Sequence, residues 1–306
     1  MTAVHPISPG AASPPQPGGT GGSRPSRTIL GLPLAAATSA VVAATWTFFG
    51  SHVLTGPAVM NGSARGTALV VLVVAVPVLL VSLLGGHQGS HRAPLASLAA
   101  LTYLLYNSLL LLFLSPFNHA FLAYVAMMST ALWSIVAVLH GLDIEGVGLR
   151  FARRAPVRAV AVFVWLVVAL NTSAWLRVIA PALTQPYPPD FTAGTGVTTN
   201  AIYIQDLGIW LPLMAVAAVW LWRRTAWGLV VVSSMLGTWA IESLGIGVDQ
   251  WFGHRAEPAS DIASGAALVP FLVGAIVVLL TAWSLLRGFD DTTVAVTPAL
   301  DQPGLG

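Results

Sequence analysis

The chain has no cysteine and no lysine. Its 13 basic residues are all arginine, and only 8% of its 306 residues are charged. Without cysteine there is no disulfide, no thiolate metal centre, no cysteine nucleophile and no lipoprotein anchor. So little charge excludes a water-facing exterior over most of the chain. Catalytic signatures are missing as well: no phosphate loop with its lysine, no Gly-x-Ser-x-Gly elbow, no His-Glu-x-x-His and no calcium loop. His87 and His91 are four apart in a short glycine-containing loop with no carboxylate nearby, a poor basis for a metal site. His52, His119 and His140 fall at the ends of apolar stretches, so paired mid-membrane haem ligands are not available. No cofactor or metal is expected, and an enzyme is the least supported class.

What the chain has is hydrophobicity. Apolar residues make up 56% of it, and the mean hydropathy is +0.80. Eight apolar stretches lie at roughly 30–54, 67–85, 95–115, 120–140, 158–181, 204–222, 226–248 and 264–286. About 20 apolar residues at the helical rise cross the hydrocarbon core of a bilayer. Inside it, every backbone N–H and C=O must be satisfied within the helix, so runs of this length read as transmembrane helices. The expected fold is an all-α polytopic integral membrane bundle of eight transmembrane helices over residues 29–288. Residues 1–28, rich in Pro, Gly and Ser, are expected to be a disordered tail, and 289–306 a short second tail. Arg24 and Arg27 precede the first stretch, but it continues through Phe48 and Phe49 to Leu54, too long for a cleaved signal.

Arginine sets the expected orientation. With the N-terminus inside, the inner segments hold ten arginines, chiefly Arg150, Arg153, Arg154, Arg158, Arg223 and Arg224. The outer side holds three: Arg65, Arg177 and Arg255. By the positive-inside rule both termini are then cytoplasmic. The all-arginine basic set, with abundant Ala, Val, Leu, Gly and Pro, suggests a GC-rich bacterial genome and hence a bacterial plasma membrane. The pI of 9.4 reflects helix-end arginines rather than a nucleic-acid surface. The expected partners are the lipid bilayer and a small solute or ion; the sequence specifies no protein partner.

Polar residues inside spans are costly and mark functional candidates. In the seventh span Ser234, Thr238, Glu242, Gly245 and Asp249 are spaced 4, 4, 3 and 4. At 100° per residue they share one stripe, which should point away from lipid. Tyr103, Tyr106 and Asn107 share a face of the third span. Arg177 lies in the outer half of the fifth span, with Asn171 deeper and on a different face. Asp206 sits at the outer start of the sixth span, where it can cap the helix or join an ion-binding cluster. His52 and His119 lie at the same outer boundary. The candidate solute- or ion-binding residues are therefore Glu242, Arg177, Asn171, Asn107, Asp206 and Thr238.

Three other features stand out along the chain. Residues 182–203 form a long outer connection containing Pro186-Tyr-Pro-Pro189, able to cover a cavity or to act as a solvated linker. Asn118, after Ser115-Pro-Phe, can cap the fourth helix. Pro77 falls mid-span and should kink its helix, whereas Pro212 and Pro270 fall in early turns.

Tyr106-Asn107 … Ser115-Pro-Phe-Asn118 … Tyr124 and Gln205-Asp-Leu-Gly208 … Pro212 … Trp222-Arg-Arg … Trp227-Gly228 resemble runs in a scattered group of bacterial and archaeal polytopic membrane proteins with no assigned activity. The resemblance spans about a third of the chain. It implies a membrane bundle and carries over no catalytic or binding residue.

Two readings of function follow. In the first, the protein binds or transports a small solute or ion through an outer-facing polar cavity. Glu242 is then the charge-carrying or proton-linked group, Arg177 its counter-ion or an anion anchor, and Asn107 and Asn171 orienting groups. In the second it is a non-transporting accessory or sensor subunit, and Arg177–Glu242 is a pair that locks the fifth and seventh helices together.

Overall fold

The computed structural model describes residues 27–149, 155–186 and 189–287. Residues 1–26 of the first expected tail, the whole of the second, Arg150, Arg153 and Arg154 of the inner basic cluster, and Tyr187 and Pro188 of the long connection lie outside those residues, while positions 27 and 28 of the expected tail already belong to the first helix. Among the described residues there is no strand, and eight helices are long and apolar enough to cross a membrane. They are α1 (Arg27–Phe49), α2 (Ala58–His87), α3 (Ala93–Phe113), α4 (Phe121–Gly141), α5 (Val157–Ala182), α6 (Ala201–Trp222), α7 (Ala226–Ala256) and α8 (Leu268–Leu286). A short helix, Ile144–Leu149, lies between α4 and α5. The chain is an integral membrane protein of the multi-pass, all-α kind.

The outside of the bundle is apolar. Val73, Val81, Leu122, Leu170, Ile276 and Trp283 are all exposed, as suits side chains that meet lipid rather than water. Two apolar cores fill the inside, one among α1 to α4 and one among α5 to α8. Helices α3 and α7 contribute to both. Hydroxyls fasten the helices: Ser39 to Thr130 at 2.8 Å and Thr47 to Tyr124 at 2.7 Å between α1 and α4, and Ser82 to Ser97 at 2.7 Å between α2 and α3. Such bonds satisfy hydroxyls that lipid would leave bare.

Helix α7 packs on α2, α3, α6 and α8, most extensively on α2. That contact depends on glycine. A Cβ on Gly62 would lie 2.6 Å from the Phe252 carbonyl oxygen, and one on Gly66 would lie 2.6 Å from the Cα of Asp249. The small-residue seam brings the backbones together, and Ser63 Oγ donates to the Asp249 carbonyl at 3.2 Å.

This seam corrects the expected start of the second span. The helix begins at Ala58 rather than near residue 67, so Arg65 lies within it. Likewise α7 continues to Ala256 rather than ending near 248. Gly62, Ser63 and Gly66 resemble loop residues in isolation; here they are the surface on which α7 rests. The extra turns are capped across the fold. Glu257 Oε2, just past the end of α7, accepts from the backbone N–H of Val59 in the first turn of α2 at 3.1 Å.

Pro77 and Pro212 are each preceded by a π turn, Val71–Ala75 and Asp206–Trp210. Proline lacks an N–H and crowds the carbonyl four residues back, and the wider turn accommodates both. Pro212 is therefore not in an early turn as expected, because α6 starts at Ala201. Between α6 and α7, Arg224 adopts φ 58°. Thr225 N bonds Trp220 O and Arg224 N bonds Leu221 O, so a Schellman turn closes α6 with arginine at the position usually given to glycine.

Candidate functional site

The polar stripe of α7 does face inward. Thr238 Oγ1 donates to the Ala99 carbonyl of α3 at 3.0 Å and to Ser234 O at 3.2 Å. One turn further on, Glu242 Oε2 accepts from Asn107 Nδ2 at 2.9 Å, and that same amide also reaches its own helix at Tyr103 O, 3.1 Å away. Asn107 is 2% exposed. The next stripe position, Gly245, leaves room for Tyr103: a Cβ there would lie 3.0 Å from the Tyr103 hydroxyl. That hydroxyl is buried and has no hydrogen-bond partner among the described residues.

Helix α3 turns a second polar residue the other way. Tyr106, adjacent to Asn107, donates its hydroxyl to Asp206 Oδ1 of α6 at 3.2 Å. Asp206 Oδ2 accepts from Trp175 Nε1 of α5 at 2.9 Å. The neighbouring Gln205 donates to the Tyr106 carbonyl at 3.4 Å and accepts from Trp210 Nε1 at 3.3 Å. Two carboxylates on different helices are thus each held by neutral donors, and α3 bridges them.

Four of the six candidates belong to this network: Glu242, Asn107, Asp206 and Thr238. Two stand apart from it. Asn171, half-buried on α5, bonds back to its own helix at Val167 O, 2.9 Å away, one turn from Trp175. Arg177 is exposed. Among the described residues it forms no ion pair with Glu242, whose partner is Asn107. The expected Arg177–Glu242 lock is therefore corrected: the arginine projects from a different face of α5 than Trp175, the residue that reaches inward. His52 and His119 are also exposed and outside the network.

Asp206 does not cap α6. Asn200 does, its Oδ1 accepting from Ile202 N at 2.9 Å, which places Asp206 inside the helix at the first residue of the π turn. Asn118 acts within the turn before α4, its Oδ1 accepting from Ala120 N at 2.9 Å, rather than capping the helix itself. Trp175, Gln205 and Trp210 were missed by the sequence reading. Trp175 had a usable signal, since it lies one turn from Asn171 on the same face.

Above the stripe, at the end that carries the 182–203 connection, lies a cavity of about 690 Å³. Its walls come from α2 (Ser63, Thr67), the end of α3 (Leu111) with Ser115 just past it, and α7 (Asp249, Gln250). The long connection roofs it with Phe191 and Thr195, the first turn of α6 adds Tyr203, and the α7–α8 connection adds Asp261. Gly194 and Gly196 have φ of 71° and 74°. A Cβ on Gly196 would also lie 3.0 Å from Pro57 Cδ, so this loop sits directly against the start of α2. Asp249, the last member of the stripe, lines the cavity beside Gln250.

No protein-family model matches the chain, and no curated protein or solved structure matches it.

Proposed function

We propose that the protein binds or transports a small solute or ion through this cavity, which opens to the outside of a bacterial plasma membrane. The observation that carries the reading is continuity: one stripe of α7 runs from Asp249 in the cavity wall, past Gly245 and the Tyr103 hydroxyl, to Glu242 held by Asn107. A volume of several hundred Å³ with a few convergent polar groups suits a small ligand. The arginine distribution supports cytoplasmic termini, which puts the cavity on the outer side. In this reading Asp249 meets the solute first and Glu242 is the deeper charge-carrying group. Asn107 orients Glu242, and the Asp206 cluster holds α6 against α3. Asn171 and Arg177 take no direct part.

Single cysteines test this cleanly, because the chain has none of its own. Intact cells are treated with a membrane-impermeant maleimide. His119→Cys, exposed at the cavity end, reports orientation; Thr67→Cys reports the cavity; Thr47→Cys, buried between α1 and α4, is the closed control. Labelling at residues 119 and 67 but not 47 is expected. Labelling at 119 alone overturns the open cavity. Labelling at 119 only in inverted vesicles overturns the orientation.

A further inference from the structure

The chemistry of the cavity wall identifies the class of ligand, and this step rests on the cavity being a solute site. Three carboxylates, Asp190, Asp249 and Asp261, line it, and among the described residues no Arg or His does. They are not equivalent. Asp190 is exposed and accepts from Gln185 Nε2 at 3.0 Å, so part of its charge is already answered. Asp249 lies within the bundle, and the donor beside its carboxylate, Gln250, is neutral, so its charge is not answered. A carboxylate set among apolar helices costs free energy unless something positive meets it.

The roof adds the second element. Phe191 and Tyr203 both line the cavity, with ring centroids 5.5 Å apart at 62°. Trp175 packs behind Tyr203 at 4.9 Å and is itself pinned by its bond to Asp206. Aromatic faces attract cations, and most strongly those whose charge is spread over carbon substituents and poorly hydrated. A bare metal ion fits less well. Among the described residues no three His, Asp or Glu side chains are grouped to hold one. A volume of about 690 Å³ also greatly exceeds what an ion needs.

We propose that the cavity binds a small organic ammonium ion. Asp249 is its counter-charge, and Phe191 and Tyr203 receive its alkylated face. The Tyr106–Asp206–Trp175 cluster then has a second consequence, since it fixes the ring that backs the aromatic wall.

Choline and its uncharged carbon isostere, 3,3-dimethylbutan-1-ol, separate charge from shape. The full chain is reconstituted in nanodiscs, and its thermal unfolding is followed by tryptophan fluorescence at constant ionic strength with sodium chloride. Choline is expected to raise the Tm saturably, while the alcohol and sodium have no effect. Asp249→Asn should abolish the shift. Phe191→Leu, in the roof, should raise the half-maximal choline concentration about fivefold. An equal shift with choline and the alcohol overturns cation recognition and leaves the solute cavity standing. A choline shift that survives both substitutions overturns the assignment to this cavity. No shift with either compound overturns the inference; the maleimide result at residue 67 then decides separately whether the cavity reading falls too.

Discussion

Asn107 and Glu242, 135 residues apart in the chain, meet through a 2.9 Å hydrogen bond from the asparagine amide to the glutamate Oε2 in the middle of the bundle. The bond joins α3 to α7, the two helices that serve both apolar cores. It gives a carboxylate among apolar helices a donor without adding a second charge.

Removing that donor should be costly. Asn107→Leu leaves Glu242 unpartnered and should destabilise the protein by about 2 kcal/mol. The double variant with Glu242→Leu should lose less than the sum of the two single variants, with a coupling of roughly 1 kcal/mol. A double-variant cycle on Tm checks this, and strict additivity would refute the pairing.

Arg177→Ala should change stability by less than about 0.5 kcal/mol, the range for an exposed residue with no buried partner. The comparison is with Glu242→Ala, measured side by side. If both cause the same loss, and the double variant adds nothing, Arg177 and Glu242 are paired after all.

The α2–α7 seam should be intolerant of side chains. Gly66→Ala places a Cβ against backbone, which cannot move aside as a side chain would, and should destabilise by about 1–3 kcal/mol. Gly208→Ala is the control. Nothing lies within 4 Å of its Cβ position, and alanine is the better helix former by about 1 kcal/mol. Its Tm should stay level or rise.

Glu257→Ala should weaken the first turn of α2 by about 1 kcal/mol, as loss of a helix cap does. Glu257→Gln keeps an oxygen acceptor and should recover most of the difference. Hydrogen exchange localised to residues 58–62 provides the readout: faster exchange in the alanine variant only, with the rest of the helix unchanged.

Much of the fold was legible because lipid leaves so few options. A long uncharged stretch has to be a helix, and the eight stretches follow from length and composition alone. The α7 stripe and the shared face of Tyr103, Tyr106 and Asn107 were legible for a related reason: helical periodicity fixes the direction of each side chain relative to its own axis. The ends of α2 and α7 were less legible. Gly62, Ser63 and Gly66 suggest loop in isolation and become helix only when another backbone lies against them.

What periodicity leaves open is how each helix is rotated against its neighbours, and the partner of every polar group depends on that. The charge on Arg177 suggested a pair with Glu242; the rotation of α5 instead turns Trp175 inward, to Asp206. The residue that caps α6 is Asn200, which moves Asp206 from a cap into the helix interior. The cavity likewise belongs to no single segment. Its walls come from α2, α3, α7 and two connections, brought together by the glycine seam and by a loop resting on Pro57. By itself the sequence determined a membrane bundle with an inward acidic stripe, because the backbone must satisfy itself in lipid and side chains follow the helical repeat. Only the tertiary structure decided which groups meet on that stripe and that a cavity stands above it, because interhelical contact fixes rotation and depth.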